Sequence, residues 1–283
     1  MAPMPDPEPV PHQRELAAQL IDAIAVRRDT DSAGDHFTGV APDWFGERVF
    51  GGLIVGQALW AAMATVSPEL APHSLRGTFL RAVQPPDPVG AVVDRVRDGR
   101  TFTTRQVSLS QGGKICFTAT ASFCVEEVGE EYQMAMEHPP PAAGALAPPT
   151  GEWLDPWELR DAGPSPQLAD GTYSSTGRRW LRFPAGVAGD DASTHVALLA
   201  FLSDVTGSSF RPHSLDTWGA HTDASLDHCV WFHRPVRADN WLCFDLHALI
   251  THANRSLVRG AMHTEAGDLC LSMAQELLIR PLG

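Results

Sequence analysis

Ser225, Asp227 and His228 stand almost side by side in Ser225-Leu-Asp-His-Cys-Val-Trp-Phe-His233, and these are the residue types of a serine nucleophile with its base and orienter. The spacing argues against that chemistry. In a strand successive side chains alternate, so Ser225 and Asp227 share a face while His228 points to the other. No G-x-S-x-G elbow occurs anywhere in the chain. On spacing alone Ser225 reads as an ordinary strand hydroxyl. Two other polar residues are harder to set aside. Leu269, Leu271, Met273, Gln275 and Leu277 fall on one face of a strand, which makes Gln275 an amide on an apolar stripe. A buried, unpaired amide costs about 1–3 kcal/mol, so Gln275 needs partners, from a site or from the backbone. Asp204 closes the apolar helix Thr194-His-Val-Ala-Leu-Leu-Ala-Phe-Leu-Ser-Asp204. There a carboxylate meets the negative end of the helix dipole, unfavourable by roughly 0.3–1 kcal/mol. It also follows Ala200 and Phe201 by four and three residues, beside the apolar face, which favours function over accident.

An internal repeat sharpens the choice. Phe79-Leu-Arg81 matches Phe232-His-Arg234 at an offset of 153 residues (79 to 232). Farther on the offset becomes 154 (116 to 270), pairing Arg105 with Arg259, Gly113 with Gly267, Ile115 with Leu269 and Cys116 with Cys270. So long a period means a duplicated supersecondary unit. Gln275 then falls opposite Ala121 and Ser225 opposite Pro72, so the fold itself demands neither polar group. Arg81, Arg105, Arg234 and Arg259 recur in both copies and read as fold-supporting residues, with phosphate binding a secondary use.

The elements that must position these residues follow from periodicity. Leu16, Leu20, Ile21 and Ile24 make an amphipathic helix over 12–28. Phe50-Gly-Gly52 leads into Leu53–Val66, apolar nearly all round and therefore a buried helix. Strand-like runs follow at 74–82, 90–97, 102–110 and 114–125, divided by Pro85-Pro-Asp-Pro88, Asp98-Gly99 and Gly112-Gly113. After the Pro/Ala-rich stretch 139–149 the order returns: a helix over 193–205, then strands near 223–233, 240–251, 255–264 and 269–279. These define an N-terminal tail and helix (1–34), a first unit (35–127), a linker (128–152) and a second unit (153–283). The class is α+β. Two small helix-covered sheets should pack as one pseudo-dimer with continuous strand pairing, and the cleft should lie between the copies.

Composition excludes several classes. With 283 residues, 43% hydrophobic and 19% charged, the chain is that of a globular protein with a sizeable core. A net charge of −13 argues against nucleic acid as a partner. No apolar run nears the roughly 18 residues of a membrane helix, so no membrane insertion is expected. The Pro-rich acidic start lacks a basic region, which makes a signal peptide unexpected and the cytoplasm the default. Five cysteines without a C-x-x-C read as reduced, buried thiols, and the twelve histidines include no metal-binding cluster, so no metal or cofactor is expected.

Several co-linear segments resemble the type II (TesB-like) acyl-CoA thioesterases, which are double-hotdog proteins. They are Arg48-Val-Phe-Gly-Gly-Leu-Ile-Val-Gly-Gln-Ala-Leu59, Arg97-Asp-Gly-Arg-Thr-Phe102, Thr120-Ala-Ser-Phe123, Leu226-Asp-His-Cys-Val-Trp-Phe-His-Arg-Pro235 and Leu257-Val-Arg-Gly260. The resemblance spans about residues 35–281. It implies two tandem hotdog units, each an antiparallel sheet wrapped around a helix, with the second unit catalytic. It also implies a catalytic set of Asp204, Ser225 and Gln275, which hold and activate a water that hydrolyses acyl-CoA. Gly52, at the start of the first-copy helix, is a candidate backbone donor to the oxyanion. Leu53 departs from the glutamine that members often carry after the glycine pair, a change that bears on the acyl pocket. A homo-oligomer, dimer or tetramer, is expected. Two rivals remain: a hotdog enoyl-CoA hydratase or dehydratase, with His228 as its acid–base group, and a non-catalytic acyl-CoA-binding protein.

Overall fold

A computed structural model describes residues 11–134, 154–161, 177–205 and 221–281. Most of the expected linker, 128–152, lies outside the described residues. The first copy comprises α1 (Pro11–Ile24), β1 (Arg27–Arg28), β2 (Asp35–Gly39), a 3-10 turn at Asp43–Phe45, α2 (Gly51–Met63), β3 (Ala71–Phe79), β4 (Val89–Asp98), β5 (Phe102–Gln111) and β6 (Lys114–Cys124). The second contains β7 (Glu158–Asp161), β8 (Gly177–Arg182), α3 (Ala192–Ser203), β9 (His221–Ser225), β10 (Asp227–Phe232), β11 (Leu242–His252), β12 (Arg255–Thr264) and β13 (Leu269–Pro281).

The strands form one antiparallel sheet in the order β1-β2-β4-β5-β6-β3-β10-β13-β12-β11-β8-β7, with β9 beside β13. The seam between the copies is β3–β10, where Asp227 faces Thr78 and Trp231 faces Ser74. Each copy thereby covers the other's open edge, as expected. No helix among the described residues is long and apolar enough to cross a membrane.

α1 buries Ala17, Leu20, Ala23 and Ile24; of the stripe read from the sequence Leu20 and Ile24 are buried while Leu16 and Ile21 are half-buried, and the helix stops at Ile24. The chain beyond pairs Arg27 and Arg28 with β2, ending the helix short of residue 28. α2 is buried along most of its length, from Gly52 to Ala62. α3 is capped by the Asp191 carboxylate, which accepts from the Thr194 N–H at 2.9 Å and from its hydroxyl at 2.8 Å. The two helices run antiparallel in contact. A Cβ on Gly52 would sit 2.3 Å from the Phe201 carbonyl oxygen, and one on Gly56 3.4 Å from that of Ala197. The glycine thus permits the N-terminus of α2 to meet the C-terminus of α3.

The repeat is visible as matched contacts. The Leu80 N–H donates to the Cys116 carbonyl, and the His233 N–H to that of Cys270. Arg81 Nη1 reaches the Ile115 carbonyl at 2.6 Å, and Arg234 Nη1 that of Leu269 at 3.0 Å. One pairing from the sequence needs correction. Arg105 stands opposite Ala121, whereas the partner of Gln275 is Val258, not Arg259. The extra residue sits in the β12–β13 turn, so β12 follows β5 at the smaller offset. Arg105 is buried and bonds Thr65, Asp98 and the Arg97 and Thr104 carbonyls, while Arg259 is exposed. Of the four arginines, Arg81, Arg105 and Arg234 hold the fold through these bonds.

The strand expected over 223–233 is two strands. Ser225 pairs with Leu277, but Cys229 pairs with Ala274, four steps on one side against three on the other. The extra residue makes a bulge near Leu226, whose N–H donates to the Glu276 carbonyl and whose carbonyl accepts from Phe79. The first copy has a matching irregularity between Pro72 and Ser74. The bulge cancels the alternation, so Ser225 and His228 turn to the same side.

Gly52→Ala should destabilise the protein by about 1–3 kcal/mol through overpacking against Phe201. Thermal unfolding checks this; Gly112→Ala, where an added Cβ meets nothing within 4 Å but φ is +56°, separates backbone strain from helix crowding.

Candidate active site

The end of α3, the bulge and β13 bring the three predicted residues together. Gln275 Nε2 donates to Asp204 Oδ1 at 2.5 Å and to Ser225 Oγ at 2.7 Å. The Ser225 hydroxyl in turn points to Asp204 Oδ1 at 3.4 Å. Gln275 is completely buried, so this amide spends both its N–H groups inside the cluster. That answers the question its place on an apolar stripe raised.

Asp204 is buried and caps the C-terminus of its own helix. What offsets the adverse dipole is the other copy. The Gly52 N–H at the start of α2 bonds the Asp204 carboxylate, and a Cβ on Gly51 would lie 2.6 Å from Asp204 Oδ2. The positive end of α2 therefore lies on the carboxylate that the negative end of α3 would repel. Gly52, expected as an oxyanion donor, gives its N–H to the carboxylate instead. Burial pushes the Asp204 acid up to about 7, against the hydrogen bonds from Gln275, Ser225 and Gly52, while the nearby Asp223 charge adds to the rise.

His228 sits behind the carboxylate, its Nδ1 3.7 Å from Asp204 Oδ1. Its Nε2 lies 2.8 Å from Ser203 Oγ. The Ser203 hydroxyl donates to the Ala200 carbonyl at 2.8 Å, so it accepts from Nε2–H. That assigns the tautomer and leaves Nδ1 as a bare lone pair. Burial pulls the imidazole down to about 4, so it is neutral at ordinary pH. Sequence alternation had separated His228 from Ser225; the bulge unites them on one side, yet Ser225 bonds Asp204 and Gln275 rather than the ring.

A cleft of about 570 Å³ opens beside the cluster. Its walls come from both copies: the segments 45–51 and 79–82 of the first, and Asp204, 223–226 and Leu277 of the second. Asp204 and Ser225 line it, whereas Gln275 and His228 are fully buried behind them. Leu53 is fully buried in the core and does not line this cleft. Burial raises all five thiols, to about 12 for Cys243 and Cys270, so none is set up as a nucleophile.

Two helices packed back to back inside one continuous antiparallel sheet, with a polar cluster at their junction, define a double-hotdog protein. The family described as "Acyl-CoA thioesterase N-terminal domain" matches residues 40–124, and "Acyl-CoA thioesterase C-terminal domain" matches 134–279. The chain belongs to this acyl-CoA thioesterase family and is a thioester hydrolase. It is 32% identical to the human protein "Acyl-coenzyme A thioesterase 8" over 83% of this chain and 81% of that one. To "Acyl-CoA thioesterase 2" of Haemophilus influenzae it is 28% identical over 86% and 92%. Among solved structures, the acyl-CoA thioesterase II TesB2 of Mycobacterium marinum shares 30% identity with a TM-score of 0.75, covering 93% of this chain and 99% of that one.

Because the folded Asp204 acid is near 7 against an ordinary aspartic acid's 3.8, the native state binds more protons than the unfolded state between those values. Its contribution to stability therefore falls as pH rises from about 4 to about 7. Asp204→Asn, which keeps an acceptor without the charge, should raise the melting temperature relative to wild type at pH 8 and lose most of that advantage at pH 4. Thermal denaturation at the two pH values reads it.

Proposed function

We propose that the chain hydrolyses acyl-CoA to a carboxylic acid and coenzyme A by direct attack of water, with Asp204 as the base. The observation that carries this is a buried carboxylate, poised to take a proton near neutral pH, that nevertheless lines a cleft beside a hydroxyl. The water oxygen bonds to the thioester carbonyl carbon as Asp204 takes its proton. Collapse of the tetrahedral intermediate breaks the carbon–sulfur bond; the thiolate leaves, and the proton held by Asp204 passes to it through solvent, which restores the carboxylate. A thiol with a pKa of about 8.5 is a good enough leaving group to go without a strong general acid. Ser225 orients the water from the cleft wall. Gln275 is a positioning residue: it touches no substrate and fixes Asp204 and Ser225 relative to each other.

His228 does not support the hydratase reading. A fully buried imidazole with its Nε2 committed to Ser203 and its conjugate acid near 4 is a poor proton donor to an enoyl chain. Ser225 bonds Asp204 and Gln275 and no histidine among the described residues, which likewise favours water over a covalent intermediate on that serine. As part of the same proposal, and on the strength of the family resemblance, the chain works in the cytoplasm as a homo-oligomer of two or four copies.

A free-thiol assay tests the mechanism. Asp204→Asn should lower kcat by about 10³-fold or more and Ser225→Ala by about 10- to 100-fold, on the scale of a lost base and a lost orienting hydrogen bond. The wild-type kcat should rise with pH through an inflection near 7, as Asp204 loses its proton. Trapping of an acyl group on Ser225, or full activity of Asp204→Asn, would overturn the water mechanism.

A further inference from the structure

The duplication supplies an internal control for two arginines. Arg81 and Arg234 hold equivalent places and make the same anchor, Nη1 to the carbonyl of Ile115 or Leu269. Beyond it they differ. Arg234 is met by the Glu131 carboxylate at 3.5 Å and by Gln133 Oε1 at 3.0 Å. Arg81 has no carboxylate within 4.0 Å among the described residues, and it lines the cleft that holds Asp204. Arg48 lines the same cleft, is exposed, and makes no hydrogen bond or ion pair among the described residues. Other exposed arginines among the described residues, such as Arg27, Arg100 and Arg280, also have no carboxylate within 4.0 Å, but they do not line this cleft.

The cleft also carries Glu47 and Asp223, so its walls have no strong net field. The arginines must act through directed hydrogen bonds, and the planar guanidinium fork suits an oxyanion such as phosphate. With the thioester carbonyl at Asp204 and Ser225, whatever is attached to the sulfur leaves the cleft between these walls. We propose that Arg48 and Arg81 form the anion subsite of the substrate, gripping the phosphoryl groups of its thiol carrier. The inference rests on the acyl-CoA reading above. A carboxylate at the far end of the acyl chain presents the same chemistry, and the test separates the two.

Calorimetric titration with coenzyme A itself, which needs no turnover, is combined with thiol-release kinetics on hexanoyl-CoA, hexanoyl-pantetheine and adipoyl-CoA. Arg48→Glu should weaken coenzyme A binding by about 10-fold or more, on the scale of one charge-assisted hydrogen bond lost. It should lower the kcat/KM ratio of hexanoyl-CoA over hexanoyl-pantetheine by a similar factor. Arg81→Lys, which keeps the charge near the fold anchor, should move both in the same direction by less. These variants also serve if Arg81→Ala does not fold. A preserved pantetheine ratio with a lost preference for adipoyl-CoA would overturn the phosphoryl assignment in favour of an acyl carboxylate. Unchanged coenzyme A affinity and unchanged ratios would overturn the subsite altogether. Arg48-dependent binding of coenzyme A by a folded wild type that releases no thiol would instead sink the thioesterase reading and leave the subsite standing.

Discussion

The structure depends on the meeting of two helix ends around one buried carboxylate. A negative group at the C-terminus of α3 has an unfavourable dipole behind it and an apolar core around it. Both penalties are offset from the opposite copy, where α2 begins with two glycines. Without a Cβ at Gly52 the backbone comes against Phe201, and the Gly52 N–H reaches Asp204. The positive end of one helix thus lies on the acid that the negative end of the other would repel. The balance is incomplete, since burial still holds the acid near 7. That residue of instability suits a group that must take a proton near neutral pH.

The pseudo-twofold arrangement also shows how one copy can lose a site that the other keeps. In the second copy Gln275 on β13 has Val258 as its neighbour on β12. In the first, Ala121 stands at the amide's place and Arg105 at the valine's. That guanidinium is buried, with Thr65 and two carbonyls around it and Asp98 as its counter-charge. The first copy has thus filled the equivalent space with a structural network. Its own contribution to the cleft is different: the walls at 45–51 and 79–82 and the helix end that holds Asp204.

Much of this was legible in the chain. The repeat, the buried character of α2 and α3 and the positions of most of the long strands follow from period and punctuation, because patterns of 3.6 and 2 report which face is buried. Gln275 stood out because an amide on an apolar stripe must be paired. Ser225 was not legible in the same way; its hydroxyl looked like any strand hydroxyl until the resemblance marked it. The faces of Ser225, Asp227 and His228 were misread because a bulge leaves no trace in alternation, and the arginine register slipped because one residue was added in a turn.

The sequence by itself determined that there are two copies, that each wraps strands about a helix, and that the second carries a hydroxyl and an amide where the first has Pro72 and Ala121. Those are properties of order and polarity, written locally. Only the tertiary structure decided that Gln275 spends both its N–H groups on Asp204 and Ser225, and that the Gly52 N–H serves the carboxylate. It likewise decided that, among the described residues, Arg81 is left without the counter-charge its twin has. These are distances between residues far apart in the chain, set by how two helices approach and where a strand bulges. No local pattern encodes them.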